Sequence, residues 1–198
     1  MPQFQARPGD GSERGSAAAR RPIVLETDRL KLRSLRPSDA SRRYLKWIAD
    51  PEVMTPLNMP ARELNLGELA AYIASFDDRQ RYLVGIFEKE GDRHIGILMV
   101  EVNSQHRLAK LSFLIGEADW RGKGALREAG AALIAHLFAE RSIEKIKAQA
   151  MADNIASQAT LEALGFQAEG LLPGEVRSFV DGARLDQYLY GLLLRNDN

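Results

Sequence analysis

Residues 115–129 read Ile115-Gly116-Glu117-Ala118-Asp119-Trp120-Arg121-Gly122-Lys123-Gly124-Ala125-Leu126-Arg127-Glu128-Ala129. The apolar residues before Gly116 are typical of the end of a strand, and those after Gly124 have the spacing of a helix. The first turn of a helix has unpaired N–H groups and the positive end of the helix dipole. Gly122 keeps this turn open, and Arg121 and Lys123 add positive charge. The stretch therefore predicts an anion site where a strand passes into a helix.

This loop matches neither of two common phosphate-binding motifs. A P-loop requires Gly-Lys-Ser/Thr after four intervening residues, and the dinucleotide fingerprint requires a third Gly in an early strand-helix-strand unit. A Gly-x-Gly at a helix start is, taken alone, also typical of a plain tight turn. The assignment therefore depends on the elements on either side of the loop.

The residues before the loop predict one strand, two helices and then three adjacent strands. Leu30 and Leu32 alternate with charged residues, as in a half-buried strand, and Pro37-Ser38 is typical of a helix start. The second helix is predicted over Leu64–Phe76. The three strands that follow are Tyr82–Phe87, Ile95–Val102 and Ala109–Ile115. Short connections between these three strands favour an antiparallel meander.

The residues after the loop predict a helix, a strand, a second helix and a hairpin. The first two are Gly124–Glu140 and Lys145–Ala150, which favour a crossover that makes the flanking strands parallel. Asn154 caps a last helix that ends at Gly165. The hairpin consists of Glu175–Val180, an Asp181-Gly182 turn and Leu185–Leu194. The predicted sheet is therefore mixed.

Composition excludes several classes of protein. The chain has 198 residues with 27 basic and 27 acidic side chains, so it lacks the excess positive charge typical of nucleic-acid binding. It contains no Cys, which excludes disulfides and thiolate chemistry and favours the cytoplasm. The longest nearly apolar run, Ala131–Ala139, is far shorter than the roughly 20 residues of a membrane span. Residues 1–21 are interpreted as a disordered tail, with a targeting segment as the alternative, and residues 22–198 as one domain.

The order of strand, anion loop, helix, strand and capped helix resembles the GNAT superfamily of acetyl-CoA-dependent N-acetyltransferases. Leu25-Glu26-Thr27-Asp28-Arg29-Leu30 and Asp50-Pro51-Glu52-Val53 resemble the RimJ/RimL-like branch, which acetylates ribosomal-protein N-termini. The resemblance implies the α/β (α+β) class, with a mixed, largely antiparallel twisted sheet flanked by about four helices.

The same resemblance implies where acetyl-CoA binds. Backbone amides of the loop would hold its pyrophosphate, and the preceding strand would pair with the pantetheine arm, while Asn154 and Ser157 would lie beside the thioester. The implied cofactor-binding residues are Leu114, Ile115, Gly116, Arg121, Gly122, Lys123, Gly124, Ala125, Leu126, Asn154 and Ser157. Leu126 departs from the family pattern, which has a small residue there. Because Leu126 is in phase with Leu133 and Leu137, we expect its side chain to point into the core; the alternative is a non-catalytic relative with a weakened site.

Acetyl transfer to an amine requires a group that takes the amine proton. The resemblance implies Glu101 as this base, because its strand runs beside the thioester in the family; the alternative is a solvated surface carboxylate. It implies Ser157 as the donor to the leaving sulfur, since Leu161 occupies the place of a Tyr found in other branches. The alternative for Ser157 is a hydroxyl that satisfies backbone groups in the first helical turn.

The acceptor pocket is implied to lie between the first two helices and the final hairpin, with Trp47, Asp186 and Tyr188 as its walls. The two aromatic residues also fit a core role. His94, His106 and His136 show no metal-ligand spacing, and no metal is expected. The predicted partners are acetyl-CoA and an amine, either a protein N-terminus or a polyamine, amino sugar or antibiotic. Nucleic acid and membrane are not expected, and a homodimer is left open.

Overall fold

The computed structural model describes residues 20–194. Within this range the chain forms eight strands and five α-helices. The strands are β1 (Val24–Glu26), β2 (Leu30–Ser34), β3 (Arg81–Glu88), β4 (His94–Asn103), β5 (Leu108–Ile115), β6 (Lys145–Met151), β7 (Gln167–Arg177) and β8 (Arg184–Leu193). The helices are α1 (Arg42–Ala49), α2 (Pro51–Met54), α3 (Leu66–Ala74), α4 (Ala125–Glu140) and α5 (Ile155–Ala163). The predicted tail lies, up to residue 19, outside the described residues.

All eight strands belong to one sheet, in the order β1-β2-β3-β4-β5-β6-β8-β7. Neighbouring strands are antiparallel except β5 and β6, which are parallel and joined through α4. The predicted mixed, largely antiparallel sheet is therefore confirmed.

Each face of the sheet is covered by its own hydrophobic layer. The main core lies against α4 and α5 and includes Leu98, Leu133 and Leu161. The second core lies against α1 and α3 and includes Ile73 and Ile97. Leu98 and Ile97 are neighbours on β4, and because successive strand residues point to opposite faces, each core receives alternate residues. The central strands are therefore buried on both faces.

Side-chain caps decide where the first helices begin. The predicted start at Pro37-Ser38 is wrong, because Pro37–Asp39 forms a short 3-10 turn and α1 begins after Ser41, whose side chain accepts a hydrogen bond from the Tyr44 amide. Asp50 ends α1, as predicted, and then caps α2 by accepting from the Glu52 amide. This places the α2 segment directly beside the edge of the site described below.

The C-terminal hairpin differs from the prediction in length and turn. Strand β7 begins at Gln167, whereas the predicted strand started at Glu175, and it is interrupted by register shifts where it pairs with β8. The predicted two-residue turn is wrong, because six residues, 178–183, connect the strands. Ser178 closes this loop: its amide donates to Ala183 O over 2.8 Å. The hairpin therefore ends in a wide loop beside α5.

Across residues 20–194, no helix combines the length and apolar character that crossing a bilayer demands. The same part of the chain contains no group of three or more His, Asp or Glu side chains suited to a metal ion.

His94 is a titratable residue inside the second core. It stacks on Phe87 at 4.6 Å between ring centroids and meets the Trp47 ring at 4.8 Å. Its Nε2 has no hydrogen-bond partner among the described residues. Burial lowers the pKa of His94 to about 4, because the charged form loses its hydration. The imidazole is therefore neutral in the folded protein at physiological pH.

We expect His94→Phe to remove part of the acid sensitivity of the fold. Between pH 6.5 and about 4 the unfolded chain binds more protons at this position than the folded one, so stability falls as pH falls through this window. A shift of this size corresponds to about 3 kcal/mol. Urea unfolding at pH 7.5 and pH 4.5 measures the effect: the free energy of unfolding should fall less in the variant. Equal losses in both proteins would show that His94 already titrates normally in the folded state.

Candidate active site

The sheet opens between β5 and β6, and we call this opening the splay. The two strands pair only at Leu108–Lys145, Ala109–Ile146 and Lys110–Lys147. Beyond these pairs, residues 111–115 of β5 pair with β4 on one side and have no strand partner on the other within residues 20–194. Because β5 and β6 are parallel, the splay widens toward their carboxyl ends, where α/β sheets commonly bind ligands.

The first turn of α4 lies at the wide end of the splay. Gly124 precedes the helix in a left-handed conformation with φ of 75°, and no side chain caps the turn. The first helical amide with a backbone acceptor is that of Glu128, which donates to Gly124 O over 3.0 Å. The amides of Ala125, Leu126 and Arg127 have no acceptor among residues 20–194. The turn therefore presents three free donors at the positive end of a 16-residue helix.

Arg121 and Lys123 also form hydrogen bonds within the loop. The Arg121 guanidinium donates to Gly116 O over 3.1 Å, so it ties the loop to the end of β5. The Arg121 amide donates to Ala118 O (3.2 Å) and the Lys123 amide to Trp120 O (3.4 Å). Of the loop amides to which the resemblance assigns the pyrophosphate, these two are therefore already paired within the loop.

A network missed by the sequence analysis holds the loop from the other side. Glu128 Oε1 accepts from Thr27 Oγ1 (2.5 Å) and the Arg29 amide (2.9 Å). Arg29 also donates from Nε to Glu128 Oε2 (2.7 Å) and from Nη2 to Lys123 O (3.1 Å). Burial opposes ionisation of Glu128, but the hydrogen bonds from Thr27 and Arg29 outweigh it and hold its pKa below the usual value. The network fixes the loop against the turn between β1 and β2.

A cleft of about 700 Å³, here called the cofactor cleft, runs from the first turn of α4 to the splay. It passes between α4 and α5 and includes residues 120–127 and Leu114, Ile115, Asn154 and Ser157. Leu126 is half-buried and packs against the main core, as expected, although part of it also lines the cleft. The predicted residue Gly116 lies outside the lining and acts through its carbonyl, which holds Arg121.

A second, smaller cavity of about 80 Å³ lies in the splay itself and is called the splay cavity. Most of its lining is apolar, with Met99, Phe113 and Met151 among its walls. Asn154 and Ser157 line both the splay cavity and the cofactor cleft, so the two spaces meet at the start of α5. The structure thus brings these two predicted residues together at one junction.

Asn154 and Ser157 have different roles at this junction. Asn154 Oδ1 accepts from the Ser157 amide (3.0 Å), and its Nδ2 donates to Pro56 O (3.0 Å). Asn154 therefore caps α5 and also links the start of α5 to the segment that follows α2. The Ser157 hydroxyl makes no hydrogen bond within the described part of the chain, so it is available to a ligand in either space.

Glu101 lies beside the splay cavity and outside its lining. It is exposed, and its strand neighbours in the sheet are Arg81 and Lys110. A small recess next to the splay cavity contains Glu101 and shares Met99, Lys110 and Ser112 with it. Glu101 is thus separated from the splay cavity by these three shared wall residues.

The three predicted acceptor-pocket residues line none of the cavities described here, and their role stays a prediction. Trp47 is buried in the second core, and its Nε1 donates to Glu117 Oε1 over 2.9 Å. Asp186 is exposed and accepts from the Gly174 amide over 2.6 Å, and Tyr188 packs against the main core.

Gln187, between Asp186 and Tyr188 on β8, lines the splay cavity and was not predicted. Its side chain points to the opposite face of the sheet from theirs, because successive strand residues alternate between faces. The alternation of residues along β8 could have pointed to Gln187. This argument works only when it is known which face of β8 meets the splay.

An open groove of about 620 Å³ adjoins the splay cavity and shares Pro56, Met151 and Asn154 with it. Its rim carries two exposed apolar residues: Ile155 is 67% exposed and Val180 is 69% exposed. Asn58 holds the two sides of the groove together, since its Nδ2 donates to Arg177 O (2.9 Å) and its Oδ1 accepts from the Phe179 amide (3.1 Å). We call this space the hairpin groove.

Comparison with known proteins gives a consistent set of relatives. Residues 29–167 match the model of the acetyltransferase (GNAT) domain. An uncharacterized N-acetyltransferase, p20 of Bacillus licheniformis, is 29% identical over 178 residues, covering 87% of this chain and 97% of the relative. The [ribosomal protein uS5]-alanine N-acetyltransferase of Escherichia coli is 28% identical over 187 residues, covering 86% of this chain and 90% of the relative. Spermidine N-acetyltransferase of Vibrio cholerae, solved with CoA and spermine, superposes with a TM-score of 0.73 at 22% identity, covering 84% of this chain and 96% of that one.

Proposed function

The chain belongs to the GNAT family of acetyltransferases, which use acetyl-CoA, and from this premise we propose that its acceptor is the α-amino group at a protein N-terminus. The proposal extends the family assignment from the reaction to the substrate. One observation carries it: the splay cavity, where an acceptor amine would meet the thioester, is apolar and lacks any carboxylate among its described lining residues. The Cys-free sequence favours the cytoplasm as the compartment in which this occurs.

The residues of the cofactor cleft fit acetyl-CoA, which supplies an activated acetyl thioester. The free amides of Ala125, Leu126 and Arg127 suit a diphosphate. The unpaired edge of β5 offers backbone groups to the amides of the pantetheine arm. Leu126 keeps its free amide while its side chain packs on the core. This arrangement supports a working cofactor site over the non-catalytic alternative.

The lining of the splay cavity favours an α-amine over a polyamine. Lys110 is the one charged side chain among the described residues of this lining, so a second ammonium group would find no counter-ion there. An apolar cavity also favours the neutral form of an amine. An α-amino group, with a pKa near 7.9, loses its proton about 300-fold more readily than a lysine-type amine near 10.4. The neutral α-amine is therefore the acceptor best matched to this cavity.

Two residues have proposed roles in the transfer. Ser157 donates a hydrogen bond from its hydroxyl to the departing sulfur and keeps its own proton, since that hydroxyl lies at the junction and has no other partner in the described chain. Glu101, whose recess shares Met99, Lys110 and Ser112 with the splay cavity, takes through an intervening water the proton that the amine nitrogen loses as it bonds to the acetyl carbon. Overall, one N–H proton of the acceptor is exchanged for the acetyl group, and the coenzyme leaves as a thiol.

The test of this function is a thiol-release assay with matched acceptors. The panel contains a hexapeptide beginning with Ala, the same peptide with a blocked N-terminus and an internal Lys, spermidine, and glucosamine. We expect kcat/KM for the free peptide to exceed that for every other acceptor by at least about 10-fold. Glu101→Gln in the same assay should lower kcat and leave the acetyl-CoA Kd, measured by titration calorimetry, unchanged.

Other results would reassign the function. A preference for spermidine or glucosamine would identify a small-molecule acetyltransferase. Tight binding of acetyl-CoA without thiol release from any acceptor would identify a non-catalytic relative. An unchanged kcat in Glu101→Gln would remove Glu101 from the mechanism.

A further inference from the structure

Lys110 and Lys147 are neighbours at the narrow end of the splay. They form the last of the residue pairs between β5 and β6 before the two strands separate, so their side chains lie on the same face of the sheet. Both residues are half-buried and keep some contact with solvent. Lys110 lines the splay cavity, and Lys147 is its direct neighbour on β6. Two lysines thus lie side by side at one end of the cavity.

Neither of these two lysines has a counter-ion. Within residues 20–194, the Nζ atoms of Lys110 and Lys147 form no ion pair and no hydrogen bond. Lys145, two positions before Lys147 on the same face, is by contrast paired with Glu169. Like charges that lie opposite each other on neighbouring strands are destabilising. The pair therefore leaves two partly desolvated positive charges without compensation.

The strands on the other side of Lys110 do not balance this charge. Glu101 of β4 is the cross-strand neighbour of Lys110, and Arg81 of β3 is the neighbour of Glu101. The row across the sheet consequently holds three cations and one carboxylate. Glu101 and Lys110 form no ion pair, although they are neighbours in the row. An anionic group that enters the splay cavity would supply the missing negative charge.

We propose that the acceptor peptide carries an acidic residue at its second or third position, whose carboxylate binds Lys110 and Lys147. This inference rests on the proposed function and names the peptide sequence that the site selects. Leu114, which lines both the splay cavity and the cofactor cleft, lies four residues beyond Lys110 on β5, roughly 13 Å along the strand. One or two peptide units of about 3.5 Å each, with the two side chains, span this distance.

The test uses hexapeptides that begin with Ala and carry Asp, Asn or Lys at the second or the third position. With acetyl-CoA and the wild type, we expect kcat/KM for Asp to exceed that for Asn by about 10-fold at the better position, with Lys lower still. The Asp preference should shrink when NaCl is raised from about 0.05 M to about 0.5 M, because salt screens charges that contact solvent. Equal values for Asp and Asn at both positions would overturn the proposal.

Two variants locate the preference at the lysine pair. Lys110→Gln should lower the Asp-to-Asn ratio of kcat/KM to about twofold or less. Lys147→Glu should lower it as far, because the introduced carboxylate occupies Lys110 in place of the peptide. The melting temperature of Lys147→Glu should equal or exceed that of the wild type, since a like-charge pair becomes an opposite-charge pair. If Lys110→Gln does not fold, Lys147→Glu decides: an Asp preference that persists in it contradicts the proposal.

Lys46 supplies the matched control. It also forms no ion pair among the described residues, but it is exposed on α1 and lines none of the cavities described above. Lys46→Gln changes the net charge by the same amount as Lys110→Gln and should keep the Asp-to-Asn ratio within about twofold of the wild type. A loss of the preference as large as in Lys110→Gln would assign it to the net charge of the protein and overturn the proposal.

The outcomes separate this inference from the function on which it rests. A wild type that acetylates spermidine or glucosamine and none of the peptides contradicts the proposed function. A wild type that acetylates the Asp and Asn peptides equally well contradicts the role of the lysine pair alone.

Discussion

Gly124→Val should weaken acetyl-CoA binding by at least about 100-fold. Gly124 has φ of 75° at the residue before α4, a conformation that is costly for a β-branched side chain. Relief of this strain turns the backbone and misaligns the free amides of Ala125 and Leu126. Hydrogen bonds to a charged group contribute about 1.5–3 kcal/mol each, so losing two of them accounts for the expected change. Titration calorimetry with acetyl-CoA measures it.

Gly91→Val is the control for Gly124→Val. Gly91 has φ of 86° in the turn between β3 and β4, and a Cβ there would lie 3.8 Å from its nearest neighbour, compared with 3.9 Å at Gly124. Both variants should therefore lose about 1–2 kcal/mol of stability from backbone strain. Only Gly124→Val should lose affinity. Equal acetyl-CoA Kd values for the two variants would show that the first turn of α4 does not hold the coenzyme.

Gly116→Ala should lower the free energy of unfolding by about 3 kcal/mol, among the largest effects of adding one carbon atom to a core. A Cβ on Gly116 would lie 2.0 Å from Cδ2 of Trp47, and Trp47 is itself buried. Either the indole ring or the end of β5 must move. For a chain of this length the melting temperature should fall by about 10 °C, measurable by calorimetry or circular dichroism.

Two further variants test the cause of the Gly116→Ala effect. Gly170→Ala, on β7, adds the same atom where nothing lies within 4 Å, and should leave stability nearly unchanged. Trp47→Leu shortens the obstructing side chain, so the double variant should be more stable than the sum of the two single losses predicts. Simple additivity of the two losses would mean that the collision is relieved without involving Trp47.

The central strands and the anion loop could be predicted because local patterns specify them. Strands β3, β4 and β5 start and end within one residue of their predicted limits, since their apolar residues are continuous and bounded by turns. The left-handed Gly124 followed by a helix is likewise encoded in the loop itself. Strand β7 was predicted too short because Gly170, Pro173 and Gly174 interrupt its pattern.

The parts of the site that the sequence did not disclose depend on contacts between distant residues. Glu128 and Arg29 are 99 positions apart, and no spacing rule connects them. The wall of the splay cavity depends on which face of β8 meets it. The connection before β8 was predicted as a two-residue turn but has six residues, so the register of β8 in the sheet could not be predicted. A shift of one residue in this register turns Asp186 instead of Gln187 toward the cavity. The acceptor side was therefore harder to predict than the cofactor side.

In the described part of the chain, strands β1–β5 pair with strands β6–β8 at only three residue pairs, all between β5 and β6. A coenzyme arm paired along β5 would act as an additional strand in the splay. Occupancy and folding are then thermodynamically linked: ligand at 100 times its Kd adds about 2.7 kcal/mol to the free energy of unfolding. The free energy of unfolding of this protein in a cell would consequently rise and fall with the concentration of coenzyme. A cell short of coenzyme would have a less stable enzyme as well as a less active one.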